Sequence, residues 1–335
     1  MSTWISRRER LMRQFPVGAV TLREVGLRDG LQMVRQYPST QQKQQWLDRE
    51  YAAGVRHFEI GSFLPASRFP QFADVREVIA HARKLPDTYL AALTLNERAA
   101  ADAMTEPVDE MIFVVSASEA HSQANTRRSR AEAVAMLQRI CTTVKTAQAD
   151  GASTPFVSAG IAMAFGCSLA GDVQPDEVLR LVDECMEAGA DYIALADTVG
   201  YAGPRQVADL VTAVRRRIGD LPLGVHLHDT RGMAIANAAA ALDAGANMLD
   251  GSLAGLGGCP FAPGATGNVV FEDLVFLCES MGFRIGVDID SLIQVRQILS
   301  EAMPQEPLYG GLARAGLPKS QNWRAPSGAS ETLTA

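Results

Sequence analysis

Short stretches with the length and pattern of β-strands recur along the chain. The clearest, residues 223–228, alternates apolar and polar positions and is followed by Asp229, as expected for a strand that ends at a loop. Others are more continuously apolar, which is typical of strands buried on both faces. The predicted strands are residues 19–26, 55–63, 89–95, 110–117, 154–165, 192–197, 223–228 and 248–253.

Longer stretches with helical periodicity lie between these strands. Most of them end at a glycine, the residue expected just past the last turn of a helix. The predicted helices cover residues 41–53, 74–84, 130–149, 174–188, 204–218 and 233–244, and residues 290–303 have the pattern of one more.

The alternation of strands and helices predicts a fold with parallel strands. Eight such units in roughly 250 residues match the count and length of a (β/α)₈ TIM barrel. A doubly wound sheet is the alternative, but it predicts a GxGxxG turn after the first strand, and residues 24–32 contain none. We therefore expect an N-terminal segment (1–18), a TIM-barrel catalytic domain (19–285), a C-terminal helical and loop extension (286–320) and a disordered tail (321–335).

Composition excludes several classes of protein. The 335 residues are 47% apolar and carry a net charge of −7, so a nucleic-acid partner is not expected. The five cysteines are far apart, and no secretion signal or membrane-length apolar segment is present. These features predict a cytoplasmic protein with reduced thiols and no membrane partner. A homo-oligomer, either a dimer or a tetramer, stays an open alternative.

Residues suited to chemistry follow the predicted strands. Active sites of TIM barrels lie at the C-terminal ends of the strands, so side chains from these positions converge on one mouth. The candidates are Arg28 and Asp29 after the first strand, Glu59 at the end of the second, Asp197 at the end of the sixth, His226 and His228 on the seventh, and Cys259 and Asn268 after the eighth.

Four of these residues form a plausible set of metal ligands. His226 and His228 are two positions apart on one strand, so their side chains share a face. With Asp29 and Asn268 they offer two nitrogen and two oxygen donors and no thiolate. This set suits a hard divalent ion such as Mg²⁺ or Mn²⁺ with open positions for a substrate.

Cys259 and Arg28 each have two interpretations. Most free cysteines are small buried apolar residues, but Cys259 lies in a loop of glycines and prolines where packing explains little. Arg28 is either an ion-pair partner of Asp29 or the group that neutralises a developing oxyanion. Spacing alone leaves both roles of Arg28 open.

Three segments carry recognisable motifs: REVGLRDGLQ (23–32), GVHLHDTRGMAIAN (224–237) and SLAGLGGCPFAPGATGNVVFEDLV (252–275). They resemble the signatures of the 3-hydroxy-3-methylglutaryl-CoA lyases, within the DRE-TIM metallolyase superfamily. The resemblance implies the site residues as follows: Asp29, His226, His228 and Asn268 as metal ligands, Arg28 as the group that stabilises the enolate, Cys259 as the catalytic cysteine of the loop, and Glu59, Asp197 and Glu272 as acids around the site.

The resemblance also implies the reaction. A metal-dependent enzyme of this family cleaves an acyl-CoA with a tertiary hydroxyl group to acetyl-CoA and acetoacetate, a step of leucine degradation. The base that takes the hydroxyl proton is His226 or Asp29, and Cys259 could return a proton to the acetyl-CoA enolate, since a thiol with a pKa of about 8.5 is mostly protonated at neutral pH.

The chain also departs from the family pattern at several places. Leu27 replaces a usual proline, Ser67 and Arg68 replace a common Lys-Trp pair, the segment 165–172 lacks the usual Pro-Tyr-Glu, and the tail differs. Three alternatives therefore stay open. They are a lyase for a related substrate such as citramalyl-CoA or a longer-chain analogue, a Claisen-condensing synthase of the same superfamily, and an inactive barrel that binds acyl-CoA.

Overall fold

The computed structural model describes residues 5–258, 267–320 and 322–325. Each of the eight sequence-predicted strand segments contains one strand of the structure. The strands are β1 Thr21–Glu24, β2 His57–Ser62, β3 Tyr89–Leu93, β4 Glu110–Ser116, β5 Phe156–Ala162, β6 Tyr192–Asp197, β7 Leu223–Leu227 and β8 Met248–Gly251.

The strands form a closed barrel in which every neighbouring pair is parallel. Their order around the barrel is the order of the chain, and β8 closes the ring by pairing with β1. The (β/α)₈ TIM barrel predicted from the sequence is confirmed, and the doubly wound alternative is wrong. Most strands are shorter than predicted. Strand β5 ends at Ala162, three residues before its predicted end, because Met163 takes a left-handed conformation with φ 57°, which breaks the extended backbone.

The helices lie outside the barrel. They are α1 Arg7–Gln14, α2 Thr40–Ala52, α3 Val75–Ala82, α4 Glu97–Met104, α5 Glu119–Thr126, α6 Arg130–Ala149, α7 Pro175–Glu187, α8 Pro204–Ile218, α9 Ala234–Asp243, α10 Phe271–Ser280, α11 Ile289–Ala302 and α12 Gly311–Ala315. The six helices predicted between strands agree with the structure within two residues at each end. The sequence did not reveal α1, α4 and α5, whose eight residues each give too few turns for a clear period.

Helix α1 closes the N-terminal end of the barrel. Its N-terminus has a capping box in which Ser6 and Glu9 satisfy each other's backbone amides. Phe15, just after the helix, is buried, and its ring centroid lies 5.3 Å from that of Tyr89 and 5.7 Å from that of Tyr192. Arg7 forms a bidentate ion pair with Asp191. The N-terminal segment is thus a plug for the end of the barrel opposite the predicted site.

The C-terminal residues pack against the barrel's outer helices. Helix α11 lies against α2 and α10. The carboxylate of Asp273 on α10 accepts hydrogen bonds from the amides of Gly311 and Leu312 and so caps α12. Residues 321 and 326–335 of the predicted tail lie outside the described residues, and the division into domains stays a prediction. In the described part of the chain, none of the helices is long and apolar enough to cross a membrane.

The plug generates a prediction about stability. Phe15→Ala should lower the free energy of unfolding by about 3–5 kcal/mol, because it removes a buried aromatic side chain from a packed site. Urea unfolding followed by circular dichroism measures this change. Val17→Ala, at an exposed neighbouring position, is the control and should leave the midpoint unchanged. Equal midpoints for both variants would show that Phe15 does not hold the plug.

Candidate metal centre and active site

Asp29 is presented by a tight turn directly after β1. The residues Gly26–Gly30 form a single π-helical turn in which the amides of Arg28, Asp29 and Gly30 all approach the carbonyl oxygen of Val25. A side chain at Gly26 would collide with both the Glu24 carboxylate and the Trp46 ring, because its Cβ would lie 2.5 and 2.6 Å from them. Glycine is therefore required where the turn begins.

Glu24 fastens this turn to the loop after β8. One of its carboxylate oxygens accepts hydrogen bonds of 2.9 Å from the amides of both Gly26 and Leu253. Burial raises the pKa of Glu24 to about 8, against the lowering effect of these two amides. Glu24 is not among the site residues predicted from the sequence, although it lies within the motif REVGLRDGLQ (23–32).

His226 and His228 face Asp29 across the mouth of the barrel. Their Nε2 atoms are 3.2 Å apart, and the Asp29 Oδ2 atom lies 3.8 Å from the first and 3.6 Å from the second. A triangle with these sides has a centre about 2.1 Å from each corner, which is close to the bond length that Mg²⁺ requires. The three atoms are therefore spaced as the ligands of one small cation would be.

Asn268 completes the group of predicted ligands. Its backbone pairs with that of His228, and its side-chain amide donates to Asp29 Oδ2 at 2.8 Å and to the Leu256 carbonyl at 2.9 Å. The Asn268 Oδ1 atom is buried and has no hydrogen-bond partner among the described residues. An unpartnered buried oxygen beside a carboxylate and two imidazoles fits a cation better than it fits a site of hydrogen bonds alone.

The loop reaches the metal centre because it contains glycines. A Cβ atom at Gly257 would lie 2.5 Å from the side-chain nitrogen of Asn268. At Gly267, where φ is 127°, a Cβ would lie 2.0 Å from the carbonyl oxygen of Gly255. These contacts leave no room for any other residue at either position. Cys259, which the sequence placed in this loop, lies outside the described residues, and its role stays a prediction.

Arg28 is both an ion-pair partner and a wall of the cavity. Its guanidinium donates to Glu59 at 2.6 Å and also to the other carboxylate oxygen of Asp29. The arginine lines the same cavity as the two histidines. The two roles that the sequence left open are therefore geometrically compatible, since Arg28 can be held by carboxylates and still face a substrate.

A second layer of charge lies beneath the histidines. Asp250 on β8 accepts a hydrogen bond of 3.1 Å from His226 Nδ1 and a bidentate pair of 2.9 and 3.0 Å from Arg23. Arg23 also contacts Glu110 at 3.2 Å. Asp250 thus fixes the proton of His226 on Nδ1 and leaves Nε2 as an acceptor for a cation. Asp250 is not among the site residues predicted from the sequence, although an acid inside the predicted strand 248–253 is a visible signal for this role.

The charges in this layer set the pKa values of the site. Burial alone would raise the pKa of Asp29, but Arg28, the two histidines and Asn268 hold it well below its usual value. Burial lowers the pKa of His228 to about 4. Burial also opposes the charge on His226, but Asp250 and Asp29 raise its pKa above the usual value. The site therefore favours an ionised carboxylate and a neutral imidazole at His228, the forms that bind metals.

Two predicted acids lie away from the cation position. Both carboxylate oxygens of Asp197 accept backbone amides, at 2.8 Å from Tyr201 and 3.0 Å from Ala202. Glu272 pairs with Arg296 at 2.7 Å and accepts the amide of Ala254 at 3.0 Å. Each acid therefore supports a loop at the mouth of the barrel, and the structure does not bring either one to the metal ligands.

The site opens into a cavity of about 270 Å³. Arg28, Asp29, Glu59 and both histidines form one side, and the rim includes Arg68 from the loop after β2 and Asn125 from α5. Arg68 is one of the residues that departs from the family pattern. The divergent segment 165–172, in contrast, contributes none of the described residues that line the cavity.

Known proteins resemble this chain along most of its length. A protein-family model described as HMGL-like matches residues 19–299. The chain is 33% identical to a hydroxymethylglutaryl-CoA lyase of Bacillus subtilis over 284 residues, which are 85% of this chain and 93% of the relative. It is 35% identical to the (R)-citramalyl-CoA lyase of Chloroflexus aurantiacus over 308 residues, which are 89% of this chain and 95% of that protein.

A solved structure agrees with these relatives. It is an HMG-CoA lyase from Acinetobacter baumannii in complex with coenzyme A and 3-methylmalate, and it matches with a TM-score of 0.82 and 34% identity over 90% of this chain and 96% of that chain. The sequence relatives and the structure together confirm the resemblance carried by the three motifs.

The second layer generates a prediction about metal affinity. Asp250→Asn should weaken Mn²⁺ binding by about 10- to 100-fold, because the imidazole of His226 loses the carboxylate that orients it and raises its basicity. Isothermal titration calorimetry with Mn²⁺ measures the dissociation constant. Asp243→Asn removes an exposed carboxylate at the end of α9 and should leave affinity unchanged. An unchanged affinity for Asp250→Asn would contradict the orienting role.

Proposed function

The chain belongs to the HMGL-like family, and on that premise we propose that it is a divalent-metal-dependent lyase that cleaves 3-hydroxy-3-methylglutaryl-CoA to acetyl-CoA and acetoacetate. The observation that carries the proposal is the triangle formed by Asp29, His226 and His228, with Arg28 beside it at the mouth of the barrel. The coenzyme A in the Acinetobacter relative supports an acyl-CoA as the substrate class.

Asp29, His226, His228 and Asn268 would hold the ion, which is Mg²⁺ or Mn²⁺ in this proposal. When bound, the ion supplies Lewis acidity that orients the substrate hydroxyl and makes it easier to deprotonate. Asn268 Oδ1 offers the fourth donor, since it is buried without a partner among the described residues. Asp250 holds His226 in place, and Arg28 holds Asp29.

The reaction needs a base for the hydroxyl proton. His226 and Asp29 both line the cavity, and either one could accept this proton. The pKa of Asp29 is held very low, which makes its carboxylate a weak proton acceptor. His226 has the higher pKa because of its bond to Asp250. Because Nδ1 of His226 is bonded to Asp250, His226 could take this proton only at Nε2, the atom that would otherwise bind the ion. In this proposal the base is therefore either His226 or Asp29.

Bond cleavage then places charge on the thioester fragment. The bond between C2 and C3 breaks, the hydroxyl carbon becomes the ketone of acetoacetate, and C2 keeps the electron pair as the enolate of acetyl-CoA. The guanidinium of Arg28 faces the cavity while Glu59 and Asp29 hold it. It can stabilise the enolate oxygen without moving, as electrostatic catalysis requires. Cys259 is proposed to return a proton to C2.

Citramalyl-CoA is the second candidate substrate. The chain is as similar to a citramalyl-CoA lyase as to a hydroxymethylglutaryl-CoA lyase. Both substrates contain the same hydroxyl and thioester groups and differ at the end of the acyl group that does not react. Selectivity from one or two such contacts is worth only about 1–3 kcal/mol, so we expect one main activity and one measurable side activity.

The metal can be tested by removing it. Exhaustive chelation should abolish turnover, and added Mg²⁺ or Mn²⁺ should restore it. His228→Ala should weaken ion binding by about 10- to 100-fold or more, as for loss of a ligand or its support. His81→Ala is the control, because His81 lies on α3 outside the barrel, where its ring pairs with Asp48. Full activity after chelation would disprove the proposed metal dependence.

Cys259 can be tested by a conservative exchange. Cys259→Ser should retain the fold and the ion and reduce kcat by about 10²- to 10⁴-fold, the usual contribution of a positioned acid. Cys278→Ala, at a buried thiol on α10, is the control for loss of a thiol and should retain kcat even if it unfolds more easily. If the kcat of the Cys259→Ser enzyme were within twofold of the wild-type value, Cys259 would be a packing residue and not the catalytic acid.

The substrate is decided by a direct comparison. We expect a higher kcat/KM for 3-hydroxy-3-methylglutaryl-CoA than for citramalyl-CoA when both are assayed with the same metal, with acetoacetate and pyruvate measured as the respective products. A higher value for citramalyl-CoA would select the second candidate. If neither thioester were cleaved and acetyl-CoA were consumed together with a 2-oxo acid, the condensing synthase would replace both.

A further inference from the structure

The interior of the barrel mouth is divided into a polar half and an apolar half. Strands β7, β8, β1 and β2 are neighbours around the ring. Together with the turn after β1 they carry the charged residues of the centre described above, apart from Glu110 on β4. Among the described residues, the opposite strands β3 to β6, together with Leu95 just after β3, present to the same cavity only apolar side chains and one glycine: Leu93, Leu95, Ile112, Val114, Gly160, Ala162, Ala194 and Ala196.

The apolar half is separate from the main core of the protein. Ala91, Leu93 and Ile112 form a small buried cluster of their own, and Leu95 and Val114 pack on it while still partly exposed. These two side chains line the cavity. A partly exposed apolar wall that faces a catalytic centre is what an apolar part of a substrate requires.

The floor of this half is made of very small residues. Gly160 on β5 is not required by the backbone, because a Cβ atom there would meet Val114 and Ile112 at ordinary distances of 3.7 and 3.9 Å. Gly224 is different, since its Cβ would lie only 2.9 Å from that of Ala194. Glycine at position 160 therefore leaves open a space that a side chain could occupy without strain.

The space extends below the level of the histidines. Ala196 pairs with His226 across β6 and β7, whereas Gly160 pairs with Ala194, two residues earlier on β6. Two residues are one layer of side chains in a barrel strand. The polar residues His121, Asn125 and Thr198 follow β4 and β6 and so belong to the rim. The deeper layer on this side is apolar.

We propose that the preferred substrate carries at C3, in place of methyl, a longer alkyl or alkenyl group that fills this apolar half. The proposal rests on the lyase function proposed above and narrows its substrate class to 3-hydroxy-3-alkylglutaryl-CoA thioesters. The chemistry is unchanged: the C2–C3 bond breaks, the hydroxyl proton leaves to the base, and C2 gains a proton. The products are acetyl-CoA and a 3-oxo acid that retains the long group.

The pantetheine arm of coenzyme A is a poor occupant for this space. The arm must run from the thioester to the nucleotide, which is too large for the barrel, so it leaves through the mouth. The layer around Gly160 lies in the other direction, and the ion pair of Arg23 and Glu110 lies below the site toward the N-terminal end of the barrel. An alkyl group of the substrate, which ends without continuing toward solvent, fits this space.

The test compares two thioesters that differ only at C3. The probes are 3-hydroxy-3-methylglutaryl-CoA and 3-butyl-3-hydroxyglutaryl-CoA, which would give 3-oxoheptanoate. Each buried methylene is worth about 0.8 kcal/mol, or about fourfold in binding. For three additional methylenes we expect the wild-type kcat/KM to be at least about tenfold higher for the butyl substrate.

Substitutions in the apolar half test whether the longer group of the substrate binds there. Gly160→Val should reduce kcat/KM for the butyl substrate by at least about tenfold and leave the methyl substrate within about threefold of wild type. Val114→Phe fills the same space from β4 and should act in the same direction if Gly160→Val does not fold. Gly203→Ala, at a position with open space outside the cavity, is the control and should change neither value.

The outcomes separate this inference from the proposed function. If the wild type cleaves the methyl substrate as well as or better than the butyl substrate, the inference is wrong and the lyase function stands. If Gly160→Val and Val114→Phe reduce kcat/KM equally for both substrates, the apolar half contacts a part that both substrates share, such as the pantetheine arm. The inference is then also wrong. If neither thioester is cleaved, the proposed function itself fails.

Discussion

Burial of one carboxylate close to two imidazoles is the constraint on which the rest of this site depends. Asp29 Oδ2 lies within 3.8 Å of both histidines, and all three side chains are nearly removed from solvent. Around them the carboxylates of Asp29, Glu59, Asp250 and Glu110 pair with two guanidinium groups, those of Arg23 and Arg28. With neutral imidazoles and ionised acids, two negative charges remain. A divalent cation would balance them, which is one reason why we propose that this arrangement is a metal centre.

The same constraint accounts for the glycines in the site motifs. The turn after β1 and the loop after β8 must approach each other closely enough for Asn268 to donate to Asp29. A side chain at Gly26, Gly257 or Gly267 would collide with a neighbour at 2.0–2.6 Å. The motifs therefore encode the close approach of two backbone segments as well as the ligands, and Glu24 fastens the segments together from behind.

Closure of the barrel separates the chemistry from the substrate pocket. Because β8 pairs with β1, charged residues from the two ends of the barrel sequence become neighbours, and the side chains that β3 to β6 present to the cavity are apolar. The proposed bond cleavage needs the charged half, whereas the apolar half is free to differ between substrates. This division agrees with relatives that share the fold and family but act on different acyl-CoA thioesters.

The sequence by itself determined the barrel, because strand and helix periods are local and eight alternating units have few compact arrangements. It also predicted the residue types of the candidate metal centre, since His226 and His228 are two positions apart near the end of one strand. Only the tertiary structure decided which acids reach that centre: Asp250 joins His226, whereas Glu272 and Asp197 hold loops. The reason is that strand register and barrel closure set these distances, and neither is encoded in the spacing of residues along one segment.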